Sequence, residues 1–320
     1  MGKSAFGMRI ARLLNGEIVS ADSRQAYSGL DIGTAKPTME ERESVPHHLV
    51  DILEPDQDYG LVPFLDLARK AIDDIASRDR LPIVVGGSSQ YVFALMEGWE
   101  PHRVPPDSRL RAALQRRADG EGNQRLHADL EAIDPEAAAQ IDPSNTRRVI
   151  RALEVRAHAS EGTSPPPRQG PAEGNGLDRL QETAATGHSG AKIGGQGLAD
   201  SAIAIGLTLP RNELYRRIDA RVDGMMALGW LNEVEGLLQR GYSPELSSMS
   251  SIGYSELAEH IDGKTDLAGA VQRIKHRTHR LARSQYVWLR RSTWLEWFES
   301  DDEGVGRALD RVGEQIAPRC

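Results

Sequence analysis

The stretch Ile18-Val19-Ser20-Ala21-Asp22-Ser23-Arg24-Gln25-Ala26-Tyr27 decides the fold class of this chain. It begins as an apolar run and ends in a carboxylate with hydrogen-bonding neighbours, which is typical of a buried strand with a polar carboxyl end. A helix-period pattern with Phe6 and Ile10 on one face precedes it. A second apolar run, Leu81-Pro82-Ile83-Val84-Val85, ends in Gly86-Gly87. Strands alternating with helices predict an α/β fold with a parallel sheet, whose ligands bind at the carboxyl ends of the strands.

Composition divides the chain into three parts, with boundaries predicted at 1–107, 108–202 and 203–320. Residues 1–107 carry the strand and helix alternation, whereas the pattern from Asp107 to Arg156 is helical and charged, which indicates a helical insertion. Within the second part, residues 157–202 contain nine Gly and four Pro in 46 positions, which predicts a disordered segment. Strand character returns at 202–209, so we expect the same sheet to continue after the insertion.

Composition and charge exclude several classes of protein. Hydrophobic residues make up 39% of the 320 residues, and no run approaches the ~20 apolar residues of a membrane span. The only cysteine is Cys320, which excludes an internal disulfide and favours a reducing, cytoplasmic setting. The net charge is −8, yet seven Lys or Arg and no acid lie between Arg273 and Arg291. This predicts a basic C-terminal helix with a local anion-binding surface on an acidic protein.

Gly2-Lys3-Ser4 matches the last third of the phosphate-loop pattern G-x-x-x-x-G-K-[ST]. In that motif backbone N–H groups hold phosphate oxygens, Lys adds a point charge and the Ser hydroxyl ligates Mg²⁺. The tripeptide alone is also compatible with chance. Because the first glycine of the pattern would lie five residues before Gly2, we expect an N-terminal truncation, with a natural start upstream that encodes a short strand and the rest of the loop.

Asp22 is the first candidate for chemistry. A carboxylate at the carboxyl end of a strand, facing a phosphate loop, can bind Mg²⁺ or act as a general base. The alternative is a carboxylate that only caps the following turn.

These motifs, together with others along nearly the whole chain, resemble the tRNA dimethylallyltransferase (tRNA isopentenyltransferase) family. The similarity begins with the Gly2-Lys3-Ser4 helix and the D-S-x-Q-x-Y pattern that starts at Asp22. It continues, in the order of the family, with Asp31-Ile32-Gly33-Thr34-Ala35-Lys36-Pro37, the glycine turn at 84–91, the stretches at 133–135 and 148–155, Leu209-Pro210-Arg211, Ile252-Gly253-Tyr254-Ser255-Glu256-Leu257 and 278–291.

The resemblance implies a fold and an activity. It implies a P-loop NTPase-like core and transfer of a dimethylallyl group from dimethylallyl diphosphate to N6 of adenosine 37, beside the anticodon of tRNA, with release of diphosphate. Mg²⁺ is the implied cofactor, the anticodon stem-loop the implied partner and a monomer the expected state. The phosphate loop then binds a prenyl diphosphate, although the pattern alone indicates a nucleotide such as ATP.

The resemblance also implies roles for individual residues. Asp22, Ser4 and Arg211 are the implied catalytic residues, and Gly2, Lys3, Ser4 and Arg211 bind the diphosphate, with Ser4 on the metal. Contacts to tRNA are implied for Asp22, Ser23, Arg24, Gln25, Ser88, Arg111, Arg147, Arg148, Val149, Ile150 and Arg151. Ser88 replaces the usual Thr of the family, and the spacing from Ser88 to Arg111 is one residue longer than in the family.

Two other functions fit parts of the sequence. A small-molecule kinase on the same core would turn over ATP without RNA. A non-catalytic RNA-binding protein would bind tRNA with salt dependence but transfer no prenyl group.

Overall fold

The computed structural model describes residues 2–159 and 197–316, which form two compact units. The first unit combines Met1–Glu97 with Leu198–Cys320, and the second is Gly98–Gly197. Of the segment predicted to be disordered, residues 160–196 lie outside the described residues. At its two ends a helix continues to Ala159, and Leu198–Asp200 form one turn of 3-10 helix.

The strands of the first unit are all parallel, as the alternating pattern predicts. They are β1 Gly16–Ser20, β2 His47–His48, β3 Leu81–Val85, β4 Ala204–Thr208 and β5 Leu295–Glu299. The central strand β1 pairs with β2 on one side and with β3 on the other. A second ladder joins β4 to β5, from Ala204 opposite Leu295 to Thr208 opposite Glu299.

The expectation of one continuous sheet is wrong for the residues that the structure describes. There β4 pairs only with β5, and no ladder joins β4 to β3. The two ladders instead share one hydrophobic cluster, in which Phe6 and Ile10 of a helix pack with Ile83, Ile205 and Phe298. Every residue of β1 is buried, whereas those of β3 are only half-buried.

Nine helices of the first unit surround these ladders within the described ranges. They are α1 Lys3–Leu13, α2 Met39–Ser44, α3 Leu61–Ser77, α4 Ser89–Met96, α9 Arg211–Ala227, α10 Trp230–Gln239, α11 Tyr254–Ile261, α12 Leu267–Leu289 and α13 Asp302–Ile316. A large cluster packs Tyr27 and Leu30 against Trp230, Tyr254 and Ile274. Across the described ranges, none of the helices combines the length and the apolar character needed to cross a bilayer.

Glu17 in the middle of β1 is an acid in an otherwise apolar strand. Its side chain is 2% exposed and bonds to Arg78 Nη1 at 2.5 Å, to Arg80 Nη1 at 3.0 Å and to His48 Nε2 at 2.7 Å. The hydrogen bond from Arg78 is the main reason why the pKa of Glu17 falls to about 2. A buried carboxylate is tolerated here because several positive or polar partners satisfy it.

All regular secondary structure in the described part of the second unit is helical. Its helices are α5 Ser108–Glu121, α6 Asn123–Ile133, α7 Pro135–Gln140 and α8 Thr146–Ala159. Asp107 caps α5 and Asp134 caps α7, each through its side chain. Leu126, Leu130 and Val149 form the centre of a core of its own.

Candidate active site

The carboxyl ends of β1 and β3 meet at one edge of the sheet. Ala21 N donates to Val85 O at 2.8 Å, and Ser88 N donates to Ala21 O at 3.3 Å. A Cβ at Gly86 would lie 2.1 Å from Ala21 O, so only glycine fits there. The structure therefore places Asp22 and Ser88 side by side in the chain paths that leave the two strands, as the sequence predicts.

The N-terminus of α1 provides unpaired donors. Gly2 has a φ of 100°, a left-handed conformation that favours glycine. The first turn contains no acid, and no side chain caps it. Lys3 and Ser4 are exposed, and within the described residues neither forms a hydrogen bond or an ion pair. A helix start with free N–H groups, a free ammonium and a free hydroxyl is suited to an anion.

Lys3, Asp22 and Arg221 are electrostatically coupled. Desolvation lowers the pKa of the Lys3 ammonium more than the attraction of Asp22 raises it, and repulsion from Arg221 adds to the lowering. Desolvation also lowers the pKa of Arg221, against the attraction of Asp22. Both cations remain accessible to solvent, so this reflects crowding by protein atoms rather than full enclosure. Sequence reasoning missed Arg221, because only the folded helix α9 brings it near Asp22.

Arg211 is the first residue of α9, directly after β4 and Pro210. Its Nε donates to the hydroxyl of Tyr215 at 3.2 Å, and Arg283 Nη2 donates to the same oxygen at 3.3 Å. Burial alone would raise the pKa of the Tyr215 phenol, but these two hydrogen bonds outweigh it and lower the pKa. The ring of Tyr215 stacks on His279 at 4.0 Å between centroids, which fixes its orientation.

Gln25 is held by hydrogen bonds at both ends of its amide. Its Oε1 accepts from Ser20 Oγ at 3.0 Å, and its Nε2 donates to Thr34 O at 3.2 Å and Ala35 O at 3.1 Å. Both amide hydrogens are therefore used, and one lone pair of Oε1 remains. Gln25 is a rigid acceptor that faces the loop beside Asp22.

The loop that holds Gln25 is itself anchored by Glu233 of α10. The carboxylate accepts from Asp31 N at 3.0 Å, from Ile32 N at 2.7 Å and from Gly33 N at 3.3 Å. In the same loop the buried Lys36 ammonium lies 2.5 Å from a carboxylate oxygen of Asp31 and of Asp51. The 31–36 loop is thus held in a fixed conformation by ion pairs and backbone hydrogen bonds.

The residues between Asp22 and Gln25 point to different neighbours. Asp22 Oδ1 accepts from Arg24 N at 2.9 Å, so the carboxylate also closes a local turn, and both interpretations of Asp22 are compatible with its geometry. Arg24 Nη1 donates to Ser247 O at 2.5 Å. Ser23 is half-buried. Ser88 occupies the N-cap position of α4, but its side chain makes no capping bond.

The basic helix α12 is partly neutralised within the protein. Arg273 pairs with Glu259 at 2.6 Å, Lys275 with Asp223 at 2.7 Å, and Arg277 with Glu256. Among the residues that the structure describes, Arg280 and Arg291 are exposed and form no such pair. The arginines of the 273–291 stretch that lack an acidic partner among the described residues, and so remain for an anion, are therefore Arg280, Arg283, Arg290 and Arg291.

In the second unit the six predicted RNA contacts have different exposures. Arg111 and Arg147 are exposed, and Arg148 and Arg151 are half-buried. Val149 is 0% and Ile150 is 6% exposed, because both face the core of the unit. The prediction of an RNA contact therefore cannot apply to the side chains of Val149 and Ile150.

No metal centre made by protein ligands alone is present in the described ranges. There, no group of three or more His, Cys, Asp or Glu side chains could hold an ion. Ser4 and Asp22 are oxygen donors of the kind that Mg²⁺ prefers. Since Mg²⁺ commonly takes one or two protein ligands and completes its shell with phosphate oxygens and water, these residues fit a metal that arrives with a phosphorylated substrate.

Comparisons with known proteins agree on one family. The family model described as IPP transferase matches residues 25–292. A tRNA dimethylallyltransferase from Roseiflexus castenholzii is 47% identical over 91% of this chain and 87% of its own length. One from Thermomicrobium roseum is 44% identical over 95% of this chain and 84% of its own length. The solved tRNA isopentenylpyrophosphate transferase from Bacillus halodurans is 34% identical over 98% of this chain and 92% of its own, with a TM-score of 0.66. The predicted P-loop NTPase-like fold is confirmed by this likeness.

Proposed function

Because the chain belongs to the IPP transferase family, we propose that it transfers a dimethylallyl group to an adenosine of tRNA. The observation that carries this function is the free N-terminus of α1, with Lys3 and Ser4 unpaired within the described ranges, beside the carboxylate of Asp22. The start of α1 can bind an anionic leaving group, and the Asp22 carboxylate can accept a proton.

The donor in our proposal is dimethylallyl diphosphate. Its diphosphate would lie at the start of α1, where backbone N–H groups, the Lys3 ammonium and the Ser4 hydroxyl can meet phosphate oxygens. Arg211 would contribute a charge-assisted hydrogen bond from the start of α9. Arg221 adds positive potential at the same edge, as its coupling to Lys3 indicates.

The reaction forms one N–C bond and breaks one C–O bond. The N6 amine of adenine attacks the allylic carbon while diphosphate departs with the electrons of the C–O bond. Asp22 accepts the proton that N6 loses, since an aromatic amine is too weakly basic to carry it after alkylation. Lys3 and Arg211 stabilise the negative charge that develops on diphosphate.

We propose Mg²⁺ as the cofactor, held by Ser4 and by the diphosphate itself. When bound, the ion supplies positive charge that stabilises the departing phosphate oxygens. In that state Lys3 would bind the diphosphate, Arg211 would orient it, and Asp22 would accept the proton from N6.

Gln25 supports a preference for adenine at the target position, which we propose is adenosine 37 of the anticodon loop. Its Oε1 has one free lone pair, which can accept an N6–H of adenine. Guanine presents an oxygen acceptor at the corresponding position, which would face the Gln25 acceptor unfavourably. Adenine must leave its stack to reach the site, which costs a few kcal/mol and is easiest in a loop.

The second unit is the proposed grip on the RNA backbone. Arg111, Arg147 and Arg151 supply guanidinium groups at its surface, and guanidinium groups match phosphate geometry well. Contacts from Ser23, Arg24 and Ser88 in the first unit complete the proposed set.

The test is a transfer assay with purified protein, dimethylallyl diphosphate, MgCl₂ and two tRNA transcripts that differ only in A or G at position 37. We expect prenylated adenosine in nuclease digests of the first transcript only, with one diphosphate released for each transfer. Turnover of ATP without RNA would support the kinase instead. Salt-dependent tRNA binding without transfer would leave only an RNA-binding function.

A further inference from the structure

Glu154 of α8 is a fully buried carboxylate at the centre of a charge cluster in the second unit. Its side chain is 0% exposed. Oε1 accepts from Asp107 N at 2.7 Å and from Arg111 Nε at 2.8 Å. Oε2 accepts from Arg111 Nη2 at 2.8 Å and from Arg151 Nη1 at 2.5 Å. One carboxylate thus binds two arginines from different helices, one of them through two parallel hydrogen bonds.

The two arginines reach the surface although their partner is buried. The side chain of Arg111 is 43% exposed and that of Arg151 is 22% exposed. Arg111 uses Nε and Nη2 for Glu154, so Nη1 remains for an outside partner. Arg151 also donates from Nη2 to Val104 O at 3.0 Å, which further fixes its guanidinium.

Arg147 extends this surface by one turn of α8. Residues four apart lie on the same face of a helix, so Arg147 and Arg151 face the same way. Arg147 is exposed and forms no hydrogen bond or ion pair with the described residues. Two oriented guanidinium groups and one free one therefore lie near each other on this unit.

We propose that Glu154 is a positioning residue for RNA binding, which holds the guanidinium groups of Arg111 and Arg151 toward RNA phosphates. The inference rests on the proposed tRNA substrate. A long arginine side chain loses much rotamer freedom when it binds a phosphate, and a partner that fixes it beforehand reduces this cost. The same buried carboxylate also removes the freedom of both guanidinium groups to turn away.

Charge and positioning predict opposite effects of Glu154→Gln on tRNA binding. Glu154→Gln removes a negative charge from the RNA-binding unit, so long-range electrostatics would strengthen binding to a polyanion. Positioning predicts weaker binding, because the amide oxygen of Gln can replace only one of the two carboxylate oxygens. The NH₂ group of Gln would face N–H donors at the other position. The sign of the change in tRNA affinity therefore separates the two.

The experiment measures tRNA binding by fluorescence anisotropy without dimethylallyl diphosphate, so that it does not depend on catalysis. We expect Glu154→Gln to raise the Kd for tRNA about tenfold. We also expect the slope of log K against log salt to become shallower by about 0.7 to 0.9 for each phosphate that the variant no longer neutralises. The KM for dimethylallyl diphosphate should stay unchanged at saturating tRNA.

Asp134→Asn is the matched control. Asp134 is another buried carboxylate of the same unit, and its Oδ2 accepts from Arg156 Nε at 2.7 Å. We expect this variant to lower the melting temperature as Glu154→Gln does, but to leave the Kd and the salt slope unchanged. Equal changes in Kd for both variants would reduce Glu154 to a structural role and overturn the inference.

Two further measurements complete the test. In a double-mutant cycle, Arg111→Ala added to Glu154→Gln should weaken binding less than it does in the wild type, because the arginine is already misplaced. If Glu154→Gln does not fold, Arg111→Lys keeps the charge and breaks the paired hydrogen bonds, and an unchanged Kd there overturns the inference. A wild-type chain that binds no tRNA would instead refute the proposed function.

Discussion

The Nε of Arg211 donates to the hydroxyl of Tyr215, one helical turn further along α9, at 3.2 Å. The Arg211 guanidinium also lies 5.2 Å from the centroid of the Tyr215 ring. Since Arg283 donates to the same hydroxyl, Tyr215 holds two cations next to each other. In water two arginines repel each other, so their pairing through one phenol oxygen favours an anion between or beside them.

Tyr215→Phe removes this shared acceptor and keeps the ring. We expect the KM for dimethylallyl diphosphate to rise about 2- to 13-fold, which corresponds to about 0.5 to 1.5 kcal/mol for one hydrogen bond removed. Steady-state kinetics with saturating tRNA measure this change. Tyr242→Phe is the control, because Tyr242 also bonds through its hydroxyl, to Glu54, and lies under an arginine, Arg240. Equal KM values for the wild type and Tyr215→Phe would show that Tyr215 does not position Arg211 for diphosphate binding.

Asp22→Asn separates proton transfer from turn closure. Asn keeps an oxygen that can accept from Arg24 N, so the turn should survive. We expect the rate of prenyl transfer in single turnover to fall ~10² to 10⁴-fold, as for removal of a general base, with little change in tRNA affinity. The exposed Asp56→Asn should behave like the wild type. A near-normal rate in Asp22→Asn would assign Asp22 to the turn alone.

Gly33→Ala tests the rigid loop beside Gln25. The new Cβ would lie 2.2 Å from Trp230 Nε1, so the loop or the indole must move. We expect a decrease of about 1 to 3 kcal/mol in the free energy of unfolding, typical of overpacking, together with a higher KM for tRNA. Urea unfolding and transfer kinetics measure the two effects. Gly60→Ala, where a Cβ meets nothing within 4 Å, should change neither.

Glu17 makes stability depend on pH in the acid range. Its pKa falls from 4.5 to about 2 in the folded protein. A lowered folded pKa means that the stabilisation is complete above pH 4.5 and is lost as the pH falls toward 2. Glu17→Gln should therefore cost about 1 to 3 kcal/mol at pH 7 and make unfolding less sensitive to pH between 4.5 and 3. Urea titrations at these pH values check this. If the wild type and Glu17→Gln lose stability equally as the pH falls, Glu17 is not the cause of the pH dependence. As a control, the exposed Glu296→Gln should change the free energy of unfolding little.

The strands that carry Asp22 and Ser88 could be predicted because their signal is local. Each is a short apolar run that ends in a polar or glycine turn, and parallel strands bring such ends together. Strand β5 was missed for a physical reason. Its exposure does not alternate strictly, and its two glutamates interrupt the apolar run that would indicate a buried strand.

Long-range partners account for most of what sequence reasoning missed. Glu233 and Glu154 act through residues that lie far away in sequence, and no local pattern identifies such a partner. Val149 and Ile150 are different, because their helical period already places them on the apolar face of α8. A range of residues carried over from the resemblance assigned them to RNA, and their burial leaves only their backbone atoms for such a contact.

The bonds from Glu233 to the 31–33 loop also determine when the site can form. They join residues 200 to 202 positions apart, whereas Arg78 and Glu17 are separated by 61. Contacts between distant residues form late, since the chain must close a long loop before they stabilise anything. The β1–β3 ladder can therefore fold while the ribosome is still making the second unit. The Glu233 bonds to the 31–33 loop can form only after α10 has been made, so we expect Gln25 to become fixed later than the sheet edge that carries Asp22 and Ser88.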